Sequence, residues 1–342
     1  MVTIKDVARD AGVSVGTVSN VLNGGRVSEA RRKLVEASIE KLGYQVNTLA
    51  KGMRMQKTDY VVVILPNLIN PYFALLLDAL ESELSAVGKQ VLLCLSGDDA
   101  EREVAFMDMA KQNKVDGIIG VTYSKVEEER IENMAFVSID RHYKSHIPCV
   151  AGDNWQGGWL AAENLHKRGA TNLLCFMTMS SVDSEVRKRR VGFTEYCMEH
   201  DLSCNSVEMS EKQIVSVYES YGSRKLIHNM LRAYISPSMG EHSIDGIFTS
   251  SDHLATIVQE ELEEMGKRVP EDIQIIGYDG LQFLNQGKLI VSSIAQPVHE
   301  IAKEAVRCLN ELIANGKTEG NTKIPVSFQE GPTTKTLVTE EK

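Results

Sequence analysis

Apolar positions change their spacing near residue 60. Before it they recur every three or four residues. Ile4, Val7, Ala8 and Ala11 predict a first helix over about 4 to 11, opened by Thr3 with Asp6 three places on and stopped by Gly12. Ser14 suits the N-cap of a second helix over about 15 to 22, with Val18, Val21 and Leu22 inward and Asn23-Gly24-Gly25 at its end. Ser28 caps a third, whose Leu34, Val35, Ile39 and Leu42 precede Gly43. Two short helices joined by a tight glycine-containing turn and braced by a third predict a helix-turn-helix. From residue 60 the pattern becomes apolar runs of strand length alternating with amphipathic helices: VVVILP (61 to 66), VLLCLS (91 to 96), GIIGV (117 to 121), FVSID (136 to 140), LLCFM (173 to 177), GIFTSS (246 to 251) and QIIGYD (274 to 279). Runs apolar on both faces are those of parallel sheets covered by helices. One sheet of that size would be unusually large, so two doubly wound subdomains are expected, and the predicted class is α/β.

Charge divides the chain at the same place. Residues 1 to 57 hold ten Lys and Arg against five Asp and Glu, a surplus of five positive charges, which leaves −15 on the rest of a chain whose total is −10. A basic head on an acidic body suits a polyanion partner for the head alone. The opening MVTIKDVARD is charged and lacks an apolar h-region, and no run approaches 18 apolar residues, so neither export nor a membrane span is expected and the setting is the cytoplasm. Six cysteines (94, 149, 175, 197, 204 and 308) show no C-x-x-C pair or nearby histidine at ligand spacing; buried reduced thiols without a metal are expected.

The second helix of the head, VSVGTVSNVLNGG, is made of small and polar residues that pack poorly, which suits a recognition helix lying in the major groove. Val15, Gly16 and Asn20 would project from its outer face, where Asn can pair with adenine and Val can meet a thymine methyl. Ser14, Thr17, Ser19 and Asn23 suit phosphate oxygens. The same pattern also fits a small three-helix subdomain with a polar surface.

The stretches TIKDVARDAGVSVGTVSNVLNG, VSEARRKLVEASIEKLGYQVN and TLAKGMR, followed by ILPNLINPYFALLLDALESEL, VDGIIGV, FVSIDRHY, GDNWQGGWLAAENLHKRGA, RRVGF, FTSSDHLA, RVPEDIQIIGYDG and SSIAQPVHEIAKEAV, make the chain resemble the LacI/GalR family of bacterial transcription regulators from its start to about residue 331. The resemblance implies a helix-turn-helix domain over 1–46, a hinge helix and linker over 47–59, and an effector-binding and dimerisation domain over 60–342. That domain would resemble periplasmic binding proteins, with an N-subdomain over about 60–153 and 293–321 and a C-subdomain over about 154–292 and 322–335, the chain crossing near Asp153, Ser292 and Asn321. In the hinge, Asn47 matches an N-cap, Met53 the residue that wedges the minor groove, and Lys51 and Arg54 lie near phosphates. Departures from the family pattern are Val46 where a proline is usual, a loop from Gly24 to Val27 about one residue short, Gly16 where a base-reading side chain is frequent, and Ser251 where asparagine is frequent.

Carried over by motif, Tyr72, Phe73, Asp140, Arg187, Arg189 and Asp279 become the effector contacts. Carboxylates would accept from hydroxyls, an arginine donate in a fork, and aromatic faces cover apolar sugar faces. Asp279 also suits a loop cap, Phe73 a helix core, and the run from Arg187 to Arg190 a solvated face. The expected partners are palindromic operator DNA, a second copy of the chain, and a sugar, sugar acid or sugar phosphate; no cofactor is expected. The closing GPTTKTLVTEEK carries no leucine heptads, so a homodimer rather than a tetramer is expected. The implied function is a repressor of a carbohydrate-use operon, with control by a phosphoprotein corepressor as the alternative. An enzyme with a Rossmann-like body is the remote one: no G-x-G-x-x-G follows a strand, and Gly316-Lys317-Thr318 has Glu311 where a P-loop needs glycine.

Overall fold

A computed structural model describes the chain except residues 1, 23, 45–57, 126, 128–130, 132–133, 144–146, 180–181, 211–220, 236–242, 283–286 and 338–342. It divides into a unit over Met1–Thr58 and another over Asp59–Lys342.

The head holds α1 (Ile4–Asp10), α2 (Val15–Leu22) and α3 (Glu29–Leu42). Asp6 accepts from the Thr3 backbone N–H at 3.0 Å and from its hydroxyl at 2.6 Å, fixing the start of α1. Gly12 then turns left-handed (φ +64), and Val13 N–H returns to the Ala8 carbonyl at 3.0 Å, so α2 begins within one turn of chain. Val7, Val18 and Val35 form a fully buried centre, one from each helix. Leu34 does not join it: it is 55% exposed. Val35, Ile39 and Leu42 form the inward stripe at i, i+4 and i+7, with Ser38 buried beside them, and a residue one place before Val35 lies about 100° off that stripe.

The body contains two six-stranded sheets. The first is built from β1 (Tyr60–Leu65), β2 (Gln90–Leu95), β3 (Gly117–Gly120), β4 (Phe136–Ile139), β5 (Cys149–Gly152) and β11 (Thr322–Ile324), in the order β11-β5-β4-β3-β1-β2 and parallel throughout. The second is built from β6 (Asn172–Met179), β7 (Ser203–Ser210), β8 (Gly246–Thr249), β9 (Gln274–Asp279), β10 (Ser292–Ala295) and β12 (Ser327–Gln329), in the order β12-β10-β9-β8-β6-β7, with only β12 antiparallel. Each sheet reverses its winding, at β1/β3 and at β6/β8, and such switch points open a crevice at the carboxyl ends of the strands.

Strand alternation explains the two-sided burial. Val61, Val63 and Leu65 face α4 (Pro71–Ala86) and α10 (Val298–Asn315), whereas Val62 and Ile64 face α5 (Ala100–Gln112). In the second sheet, Leu173 and Cys175 face α6 (Asn154–Lys167) and α7 (Arg187–Glu199), while Leu174 and Phe176 face α8 (Tyr221–Ile235) and α9 (Asp252–Glu264).

The chain crosses between the subdomains three times. The first crossing follows Gly152, beside Asp153. The second follows Ala295 and the third Ile324, a few residues beyond Ser292 and Asn321, because Ser292 opens a strand of the second sheet and Asn321 directly precedes one of the first. β10 had been invisible in the sequence because its buried serines are satisfied by partners distant in the chain: Ser292 Oγ lies 2.7 Å from Thr334 Oγ1, and Ser293 Oγ donates to Asp252 Oδ1 at 2.6 Å.

Candidate functional site

In the head, Ser14 Oγ accepts the Thr17 N–H at 3.1 Å and lies 3.0 Å from the Thr17 hydroxyl, so these side chains cap α2. Val18 and Val21 are buried, which leaves Gly16 and Asn20, one turn apart, on the exposed side. Thr17 and Ser19 are half-buried. Val15 departs from the sequence expectation: it is half-buried and leans on the head's core, so it does not stand clear of the outer face. Gly24 (φ +68) lets the Gly25 N–H close on the Asn20 carbonyl at 2.7 Å, tying the end of α2 to Asn20. Asn23, Asn47, Lys51, Met53 and Arg54 lie outside the described residues.

In the body, Tyr72, Asp140, Arg189 and Asp279 are buried where the two sheets' carboxyl ends meet. Asn70 caps α4, its side chain accepting the Tyr72 N–H at 3.1 Å, and Pro71 suits the first helical turn; together they set where Tyr72 emerges. Asp140 follows β4 with φ +60 and Asp279 ends β9 with φ +126, backbone conformations that non-glycine residues adopt at a cost. Asn154, the first residue of α6, links Asp140 to Arg189. Its Nδ2 donates to Asp140 Oδ1 at 3.3 Å and to the Gly152 carbonyl at 2.9 Å, while its Oδ1 accepts from Arg189 Nε at 2.6 Å. Arg189 Nη1 donates to the Ser250 carbonyl at 2.6 Å, and its guanidinium lies 3.5 Å above the Tyr278 ring.

Glycines bring Arg189 to this position. A side chain at Gly158 would collide with the Arg189 carbonyl, and one at Gly192 with the Trp155 carbonyl, so α6 and α7 cross backbone to backbone. A Cβ at Gly157 would stand 2.7 Å from the Tyr278 hydroxyl. The sequence runs NWQGGW and RRVGF are therefore a helix crossing that sets the arginine against Asn154 and Tyr278.

Burial dominates the electrostatics. It raises the Asp140 carboxyl to about 6 against the opposing pull of Arg189 and the Asn154 hydrogen bond. Burial likewise raises Asp279 to about 7, with Arg189 and the Gln296 amide opposing and Asp140 adding to the rise. The Tyr72 and Tyr278 hydroxyls are pushed up by burial and so remain protonated donors. Gln296 Nε2 donates to Asp279 Oδ1 at 2.8 Å, yet Asp279 Oδ2, Gln296 Oε1 and both tyrosine hydroxyls have no hydrogen-bond partner among the described residues. These buried, unmatched atoms come from both subdomains and from the connection after β10 that joins them.

Of the other candidates, Phe73 is packed in the first subdomain's core with its ring edge-on to Tyr72, centroids 5.6 Å apart. Arg187 is half-buried at the start of α7, and it is Arg189 that meets Asn154 and Ser250. Beside Asp140 lies a second cross-subdomain cluster. The Glu185 N–H donates to the Asp140 carbonyl at 2.8 Å, and its buried carboxylate pairs with His142 and Lys188, with Lys323 Nζ at 4.0 Å. Burial raises Glu185, but the Lys188 and His142 contacts outweigh it and the carboxyl ends below its ordinary value. Sequence reasoning missed Asn154, Tyr278 and Gln296. Tyr278 was signalled by its place beside Asp279 in GYD; Asn154 and Gln296 were signalled by lying in GDNWQGGW and SSIAQPVHE, next to crossings.

Residues 3–47 match the model of bacterial regulatory proteins of the lacI family, and residues 162–334 match that of the periplasmic binding protein-like domain. The chain is 33% identical over 332 residues to the sucrose operon repressor of Pediococcus pentosaceus, covering 96% of this chain and 98% of that one. It is 32% identical over 311 residues to the ribose operon repressor of Halalkalibacterium halodurans, covering 90% and 89%. The chain belongs to the lacI family. A lacI-family protein is a DNA-binding regulator of transcription, and its relatives are repressors rather than enzymes. Among solved structures, a periplasmic binding protein/LacI transcriptional regulator from Alkaliphilus metalliredigens complexed with D-xylulofuranose aligns with a TM-score of 0.69 at 25% identity, covering 81% of this chain and 100% of that one. The lac repressor dimer bound to operator and the anti-inducer ONPF aligns at 0.79 over 97% and 98% of the two chains at 22% identity, a likeness of fold. No helix among the described residues is long and apolar enough to cross a membrane.

Proposed function

We propose that this regulator is a cytoplasmic, homodimeric repressor of a carbohydrate-use operon, and that a neutral sugar bound between the two subdomains of its body controls it. The observation that carries the reading is a group of buried polar atoms at the meeting of the two sheets' carboxyl ends that have no hydrogen-bond partner among the described residues: Tyr72 Oη, Tyr278 Oη, Asp279 Oδ2 and Gln296 Oε1. Leaving such groups unmatched costs roughly 1 to 3 kcal/mol each, and a polyhydroxyl ligand offers both donors and acceptors to match them. Asp140 and Asp279 stand against one guanidinium, and this balance supports hydroxyls over an acid or phosphate group as the groups they meet. The relatives named for sucrose and ribose operons are consistent with that class.

In the head, Gly16 and Asn20 would face base edges, with Ser14, Thr17, Ser19 and Asn23 toward phosphates and Val15 at the margin. Met53 would wedge the minor groove of a palindromic operator, flanked by Lys51 and Arg54. Selection of bound DNA from a random pool, followed by titration of the selected site against neutral sugars, sugar acids and sugar phosphates, tests the whole. A palindrome whose affinity shifts with a neutral sugar supports it. A shift only with anionic sugars removes the proposed ligand class, and failure to enrich any site removes the operator reading.

A further inference from the structure

Asp279 depends on its neighbours for its place in the cleft. It ends β9 with φ +126 and Gly280 follows with φ +77, so the chain takes two left-handed steps in succession over the end of β10, where a Cβ at Gly280 would stand 2.6 Å from that of Ala295. Such conformations are costly and persist only where the surroundings hold them. The hold comes from α9. Ser251 caps that helix, its hydroxyl accepting the Leu254 N–H at 3.1 Å, so Asp252, one place on, is not needed as the cap. Its carboxyl reaches across to β10 and the end of β9 instead. Oδ2 accepts the Leu281 N–H at 2.7 Å, Oδ1 accepts the Ser293 hydroxyl at 2.6 Å, and Ser293 Oγ in turn accepts the Gly280 N–H at 3.0 Å. The two amides that follow Asp279 therefore end on one carboxyl, one directly and one through a serine. Asp252, Leu281 and Ser293 are fully buried, and Gly277 makes the room, since a Cβ there would collide with Asp252 Oδ1.

We infer that Asp252 and Ser293 are positioning residues of the sugar site: together they fix the turn at Asp279 and Gly280, and so aim the Asp279 carboxyl at Gln296 and the cleft. This role rests on the sugar reading, but the placement of Asp279 can be read without any ligand. Ser292, the neighbouring residue on β10, supplies the contrast. It is as deeply buried, and its hydroxyl likewise accepts an amide, the Gly331 N–H at 2.9 Å, and meets Thr334 Oγ1 at 2.7 Å. By strand alternation it faces the other side of the sheet, away from the turn at Asp279. Losing either hydroxyl removes similar bonds, and only one set holds Asp279.

The test compares the full-length wild-type protein with Ser293→Ala and Ser292→Ala, using D-ribose and sucrose as titrants. Without ligand, the crystal structure of Ser293→Ala should show the Asp279 carboxyl drawn away from Gln296 Nε2, and that of Ser292→Ala should show it in place. Calorimetry should find the affinity for whichever sugar the wild type binds lowered at least about ten-fold by Ser293→Ala and less than about two-fold by Ser292→Ala, although both variants lose stability. Should Ser293→Ala fail to fold, Asp252→Asn, which keeps one acceptor oxygen on the same frame, takes its place with the same expectations. An Asp279 that stays where it is, or equal losses of sugar affinity in the two serine variants, would overturn the inference. A wild type that binds neither sugar counts against the sugar reading alone, and the position of Asp279 in the variants then decides between the two roles.

Discussion

Asn154 Oδ1 lies 2.6 Å from Arg189 Nε while its Nδ2 turns toward Asp140, so a single amide, buried at the first crossing between subdomains, orients the guanidinium of one half and the carboxylate of the other. Truncating it leaves both charged groups buried with one partner fewer. Asn154→Ala should weaken sugar binding by at least about ten-fold, the loss of one charge-assisted hydrogen bond. Operator affinity without sugar should change little. Calorimetry with the identified sugar, beside an operator titration, measures both; an unchanged sugar affinity would remove Asn154 from the site.

The helix crossing gives a second handle on the same arginine. At Gly192 a methyl group would strike the Trp155 carbonyl, and backbone cannot step aside as a long side chain can. Gly192→Ala should therefore cost about 1 to 3 kcal/mol of stability, the usual range for overpacking. It should also reduce sugar affinity by displacing Arg189, whereas Gly169→Ala, at a position with open space but φ +86, should cost stability alone. Chemical denaturation and sugar titration of the two variants separate displacement of the site from simple destabilisation.

The contrast between these residues explains what was legible beforehand. Arg189, Asp140 and Asp279 lie in motifs with a local signature, and β1, β3, β4, β8 and β9 read as apolar runs because both their faces are covered. Asn154 and Gln296 also lie in such stretches, GDNWQGGW and SSIAQPVHE, but nothing in those stretches singles them out: their roles come from the chain changing subdomain beside them. β7 was missed for a different reason. It is an edge strand, SCNSVEMS, whose burial is mostly on one side, so its sequence is too polar for a run and too irregular for clean alternation. Leu34 was misplaced because periodicity tolerates a neighbour one position off the stripe, and only packing decides between them.

In the head, hydrogen bonding separates Asn20 from the cap: the Ser14 side chain is engaged with Thr17, and both Ser14 and Asn20 are exposed. Asn20 is exposed one turn beyond Gly16, where no side chain competes for the groove. Asn20→Ala should cost about 1 to 3 kcal/mol on the selected operator and relax preference at one base pair per half-site. Lys51→Ala should instead weaken all sequences alike and lower the salt slope by about one. Binding measured on the operator and on single-base variants at several salt concentrations distinguishes them, and equal losses on every sequence for Asn20→Ala would refute its base-reading role.

The raised carboxyls of the cleft give a pH dependence opposite to that of a salt-bridged aspartate. With Asp279 at about 7 and Asp140 at about 6, the folded protein holds protons that the unfolded chain, near 3.8, has released. Between those values the unfolded state binds fewer protons, so stability falls as pH rises: the contribution of each carboxyl is fully present below the unfolded value and lost by the time pH passes the folded one. Asp279→Asn keeps the shape but cannot ionise. Its melting temperature should therefore gain on that of the wild-type protein as pH rises from about 4 to 7, and the difference should level off above 7. Sugar affinity should move the other way in the wild-type protein, strengthening over the same interval, because an ionised carboxylate is the better acceptor for a hydroxyl donor. Thermal melts of the two proteins without ligand, and calorimetry of the wild type at matched pH values, test both halves; parallel melting curves would show that Asp279 is already ionised in the empty cleft.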